Sequence, residues 1–214
     1  MSYGNPIRIL HTLLALCMLG QLAVGELMDV PGKHSTESSS IMAITPAYAH
    51  EDHAGAMVEE SWTFEVHEAL GLAIVALILL RIGLAFSSVP GAHWRNLFPW
   101  LSASGRTQLQ SEVALQASGW KEGKLAAPEE GESVARSVHG LMLLTVLAMA
   151  GTGLALFFGW NEHGHQTEVI HMVGEAHEVI VGLAEALIAL HVMAVVLHIR
   201  GGHPIINRIR PFAK

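Results

Sequence analysis

The stretch Ala176–Ile199 reads AHEVIVGLAEALIALHVMAVVLHI. It is apolar and long enough to cross a bilayer, because about 20 helical residues at ~1.5 Å each span the hydrocarbon core. Three histidines interrupt it, His177, His191 and His198, and spacings of 14 and 7 residues place them on nearly one stripe of a helix. Polar side chains at membrane depth usually face a bundle interior or a bound group. The stretch therefore predicts a membrane helix that holds a bound group.

Two of these histidines, His177 and His191, are separated by about 21 Å along the helix axis, so one lies toward each side of the membrane. This arrangement is suited to two redox metals, and the candidate is b-type haem, held non-covalently between histidines of facing helices. The single cysteine, Cys17, excludes a CxxCH haem attachment, a cysteine-ligated iron–sulfur cluster and an internal disulfide. Any cofactor must therefore rely on the 14 histidines of the chain.

The bulk composition is that of an integral membrane protein. The chain has 214 residues, is 51% hydrophobic and has a mean hydropathy of +0.40. We predict one domain, residues 1–214, an all-α membrane protein with a bundle of four transmembrane helices. Residues 87–133 contain no phosphate-loop, nucleophile or nucleic-acid motif, so no nucleic-acid partner is expected. The four predicted spans are about residues 7–27, 64–86, 134–158 and 176–199. Residues 28–63 form the predicted outer loop, and residues 87–133 form the predicted cytoplasmic loop.

The first span has a competing interpretation as a secretory signal peptide. One arginine precedes the apolar run, and Ala23-Val24-Gly25 resembles a cleavage site. Hydrophobic regions of signal peptides are about 7–15 residues long and need no histidine, whereas this run is longer and contains His11. The sequence therefore favours a membrane span.

The distribution of charge predicts the orientation of the spans. The N-terminus, residues 87–138 and residues 199–214 together contain ten Lys or Arg residues, whereas residues 26–65 and 160–178 contain only Lys33. Because cytoplasmic loops are enriched in positive charge, both termini are predicted to be cytoplasmic. The outer set carries twelve carboxylates, and it includes the histidine-rich run HEDH at positions 50–53.

Orientation sorts the histidines by depth. His11, His139 and His191 lie toward the cytoplasm, whereas His67 and His177 lie toward the outside. Two bis-histidine haems would then be held by His11 with His191 and by His67 with His177. His139 could replace His11, or it could hydrogen-bond a haem propionate or a quinone; we favour His11 because its helix would face the ligand helix across the haem.

Two charged residues inside the spans are further candidates. Arg81 lies 14 residues beyond His67 and so at the depth of the other haem, where a guanidinium would suit haem propionates. The alternative is that its side chain snorkels to the membrane interface. Glu185 is a carboxylate near mid-membrane, where burial of a charge is costly. It would either tune a haem or handle quinone protons, or it would be structural.

Four segments resemble a known family: PIRILH in the first span, HEALG with the later Arg81 in the second, VHGLMLL in the third and HEVIVGLAEALIALH in the fourth. They are similar to the bacterial cytochrome b561 family and to the related cytochromes that anchor nickel–iron hydrogenases. The family usually has Trp where this chain has Thr12, and the first outer loop is unusually long. The resemblance implies a four-helix di-haem cytochrome with ligands at His11, His67, His177 and His191.

We therefore expect transmembrane electron transfer in a respiratory chain, in the inner membrane of a bacterium. Electrons would pass between membrane quinone, ubiquinone or menaquinone, and a periplasmic c-type cytochrome or dehydrogenase subunit with a basic surface. The first alternative is a stand-alone quinone oxidoreductase that oxidises a small reactant such as superoxide. The second alternative is a histidine-rich membrane anchor for metal binding or transport. Whether the chain acts in a larger complex or as a homodimer is left open.

Overall fold

The computed structural model describes residues 3–27, 62–121, 127, 130–159, 167–203 and 205–211. Over these residues the chain is helical, and four of its helices are long and apolar enough to cross a membrane. The prediction of an all-α protein with four candidate spans is confirmed. The α-helices are α1 (Asn5–Glu26), α2 (Trp62–Ala85), α3 (Ala103–Lys121), α4 (Glu132–Gly159) and α5 (Glu168–Arg200), and the 3-10 turns are Trp94–Asn96, Pro99–Leu101 and Ile205–Arg208.

The helix α5 is longer than the span predicted within it. It begins at Glu168, so residues 168–174, which the sequence predicts as loop, are helical. The Thr167 side chain accepts a hydrogen bond from the Ile170 backbone N–H and so caps the helix, and Glu168 places negative charge in the first turn, where the helix dipole favours it. Most of the predicted outer loop, including the HEDH run, lies outside the described residues.

The four long helices pack as two pairs joined in the middle. Helix α1 packs on α2, α4 packs on α5, and α2 contacts α4. The contacts of α5 with α1 and with α2 are marginal at most over the described residues. One buried core joins the four long helices near the centre of the bundle. Its buried members are Met18, Ile74, Ile78, Met149 and Ala184.

The segment between α2 and α4 folds onto the start of α4. The carboxylate of Glu112 in α3 accepts hydrogen bonds from the backbone N–H groups of Ser133 (2.7 Å) and Val134 (3.0 Å). These are donors that a helix N-terminus leaves unsatisfied, so Glu112 caps α4 from another helix. At Gly140, a Cβ would overlap the Leu97 carbonyl, so glycine is required for the backbones to approach.

The two chain termini meet the same end of the bundle. The Gly4 backbone N–H donates to the Pro90 carbonyl at 3.0 Å, just after α2 ends. Arg8 donates to the Tyr3 carbonyl at 2.9 Å and to the Arg210 carbonyl at 3.3 Å, which joins the N-terminal and C-terminal segments. We call this end the termini side and the opposite end the far side.

Candidate functional site

The structure divides the five predicted histidines between the two ends of the bundle. His11, His139 and His191 lie together near the termini side and form the termini-side cluster. His67 and His177 lie close enough for their charges to interact and form the far-side pair. The helix α5 contributes to both groups, through His191 and His177. The structure therefore brings together the same histidines that the sequence groups by their depth in the membrane.

Each imidazole of the far-side pair lies against a glycine of a neighbouring helix. A Cβ on Gly25 of α1 would be 3.7 Å from the Cε1 and Nδ1 atoms of His67, and a Cβ on Gly153 of α4 would be 3.4 Å from Cε1 of His177. Nδ1 of His67 is buried and has no hydrogen-bond partner among the described residues. Nδ1 of His177, in contrast, lies 2.8 Å from the Thr152 hydroxyl of α4.

The termini-side cluster contains three rings from three helices. The ring centroids of His11 and His191 are 6.5 Å apart with an interplanar angle of 52°. Those of His139 and His191 are closer, at 5.2 Å and 62°. His139 is thus the nearer neighbour of His191, because α4 packs on α5 whereas α1 stands across from it. The sequence could place the three histidines at one depth but could not rank these distances.

A family model described as prokaryotic cytochrome b561 matches residues 2–211, nearly the whole chain. The chain belongs to the prokaryotic cytochrome b561 family. Searches of the curated proteins and of the solved structures found no match. Membership makes this protein a multi-pass membrane cytochrome that binds b-type haem and acts in electron transfer. The resemblance seen in the sequence is confirmed at this level.

The side chains of this cytochrome b561 suit haem. A haem iron needs one nitrogen donor on each face, and both ends of the bundle supply imidazoles from different helices. Glycines beside the far-side rings leave room for a flat group to approach the backbone. The described residues contain no group of three or more His, Cys, Asp or Glu side chains that would hold a bare metal ion.

The predicted residue Arg81 is buried near the termini side, with 9% of its surface exposed. It donates a hydrogen bond to the Ala92 carbonyl at 3.0 Å and lies within electrostatic range of His139 and Tyr3. Burial raises the pKa of the Tyr3 phenol, so this side chain stays neutral beside the guanidinium. The sequence offered no signal for Tyr3, which is brought here by the hydrogen bond between Gly4 and Pro90.

The predicted residue Glu185 lies on α5 between the two histidine groups, eight residues after His177 and six before His191. Its side chain is partly exposed and makes no hydrogen bond or ion pair with the described residues. These observations do not test a role of Glu185 in haem tuning or in proton handling, and both roles stay predictions.

Proposed function

We propose that this cytochrome b561 carries two b haems, one at each end of the bundle. The observation that supports the proposal is the placement of one α5 histidine in each group, 14 residues apart. The far-side haem would be held by His67 and His177, and the termini-side haem by His11 and His191. The haems supply the one-electron chemistry, while the protein supplies ligands, spacing and a low-dielectric surrounding.

Ring geometry favours His11 over His139 as the partner of His191. Two imidazoles that held a haem iron between them would need room for that group between their rings. The 6.5 Å between the ring centroids of His11 and His191 leaves more room than the 5.2 Å between those of His139 and His191. His139 is then free to hydrogen-bond a haem propionate or a quinone, beside Arg81.

The proposed path of the electrons crosses the membrane. The termini side gathers the described parts of both chain ends and of the segment after α2, and these parts contain eight of the twelve Lys and Arg residues of the chain. Because positive charge is retained in the cytoplasm, we assign the termini side to the cytoplasm and the protein to a bacterial inner membrane. Electrons would pass between membrane quinone, ubiquinone or menaquinone, and a protein in the periplasm.

The negative charges on the far side favour a basic protein as the electron-transfer partner. Glu65 lies two residues before His67, and Glu175 and Glu178 lie on either side of His177. A negative field around an exposed redox centre speeds encounter with a positively charged protein. The partner would be a c-type cytochrome or a cytochrome-bearing dehydrogenase subunit. The same field repels superoxide, which disfavours a stand-alone oxidoreductase for that reactant.

The optical spectrum of the purified protein tests the haem proposal. We expect a reduced α-band and two haems per chain by the pyridine haemochrome assay. The variant His177→Ala removes a far-side ligand and should retain one haem, while an exposed substitution on the same helix, Val179→Ala, should retain two. A His177→Ala protein that still binds two bis-histidine haems would contradict the pairing. A wild-type protein without haem would contradict the function itself.

A further inference from the structure

We infer that Thr152 is a positioning residue for the far-side haem, because its hydroxyl oxygen accepts a hydrogen bond from Nδ1–H of His177 and so leaves Nε2 for iron. The inference rests on the proposed ligation by His177. It goes beyond that proposal because it assigns a role to a residue that is no ligand, and because it makes the two ligands of one haem unequal.

The hydrogen bonds of the Thr152 hydroxyl define its direction toward His177. Oγ1 lies 3.0 Å from the carbonyl oxygens of Ala148 and Met149, to one of which it donates its single proton. Toward Nδ1 of His177, 2.8 Å away, the hydroxyl is then an acceptor. This contact then requires the proton to be on Nδ1, which leaves the lone pair on Nε2.

A threonine in a membrane helix commonly bonds its own backbone and does nothing more. Thr145, two turns earlier on α4, is such a residue: it is buried and its hydroxyl donates to the Leu141 carbonyl at 3.0 Å. Thr152 makes the same kind of backbone bond and also meets an imidazole. The difference between these two threonines on one helix separates a structural role from a positioning role.

The two far-side ligands differ in the same respect. Nδ1 of His67 is buried with no hydrogen-bond partner among the described residues, whereas Nδ1 of His177 meets the Thr152 hydroxyl. An acceptor on the outer nitrogen fixes the orientation of an imidazole and raises its basicity as a ligand. A more basic ligand stabilises the more positive ferric state, so Thr152 should lower the reduction potential of this haem alone.

The experiment is a redox titration of the purified haem-loaded protein and three variants. Thr152→Val, which is nearly isosteric but lacks the hydroxyl, should shift one of the two haem transitions to a higher potential. That transition should be the one lost in His177→Ala. Thr152→Ser, which restores the hydroxyl, should return the potential toward that of the wild type. Thr145→Val, the matched control, should leave both transitions in place.

Two results of the redox titration would overturn the inference. One is a Thr152→Val protein with two bound haems and unchanged potentials; the other is an equal shift in Thr145→Val. A measurement on haem-free wild-type protein is independent of how the variants fold: nitrogen-15 NMR should show His177 protonated at Nδ1, and protonation at Nε2 alone would refute the assignment. Retention of both haems by His177→Ala would instead be a failure of the proposed ligation, so the two failures can be told apart.

Discussion

The capping of α4 by Glu112 gives a stability prediction whose size can be worked from the structure. Glu112→Ala removes the acceptor of two backbone N–H groups, at 2.7 Å on Ser133 and 3.0 Å on Val134. Hydrogen bonds to a charged group contribute about 1.5–3 kcal/mol each. Glu112 and Ser133 are both buried, so even at the lower value for each bond we expect a loss of about 3 kcal/mol in the free energy of unfolding.

The assay is thermal unfolding of the haem-loaded protein, followed by circular dichroism. For a chain of this size, about 2–4 °C of Tm is lost per kcal/mol, so Glu112→Ala should lower Tm by roughly 6–12 °C. Glu112→Gln retains a neutral acceptor and should lose less, and Gln110→Ala, exposed on the same helix, should leave Tm unchanged. A Glu112→Ala protein within about 1 °C of the wild type would refute the capping argument.

Three further predictions concern the haem sites. His139→Ala should retain two haems per chain whereas His11→Ala should retain one, and the reverse result in a haemochrome assay would exchange their roles. Gly153→Leu would place a side chain beside the His177 ring and should cost one haem, while Gly151→Leu, with nothing within 4 Å of its Cβ, should cost none. Electron exchange with a basic c-type cytochrome should slow steeply between about 0.01 M and 0.1 M salt, as the Debye length falls from ~30 Å to ~10 Å; stopped-flow rates that stay flat would remove the electrostatic argument.

The sequence predicted the features that depend on one helix at a time. The ability of α5 to span a membrane and the distance between His177 and His191 follow from the rise of a helix per residue. The predicted orientation follows from the enrichment of Lys and Arg in cytoplasmic loops. These local rules were enough to group the histidines by depth. They were not enough to find the start of α5, because Thr167 and Glu168 cap the helix outside the apolar run.

The features that the sequence did not predict depend on how helices pack against one another. Glu112 lies in a polar connector, and only the approach of α3 to α4 turns it into a cap. Thr152 meets His177 because of the relative register of α4 and α5, which hydrophobic periodicity does not fix. The sequence leaves Arg81 either to serve haem propionates or to snorkel to the interface. Its observed hydrogen bond is to the Ala92 carbonyl, and any contact with a propionate stays a prediction.

The 14 residues between His177 and His191 have a consequence for membrane voltage. They correspond to about 21 Å of the ~30 Å hydrocarbon core, so an electron that passes between the two proposed haems crosses roughly 70% of the field. One charge moved across 100 mV corresponds to about 2.3 kcal/mol, which makes this step worth about 1.6 kcal/mol. In the proposed orientation, with His191 toward a negative cytoplasm, transfer toward His191 is disfavoured roughly 15-fold and transfer toward His177 is favoured by the same factor. The spacing of His177 and His191 thus makes the distribution of an electron between the two proposed haems depend on the membrane potential.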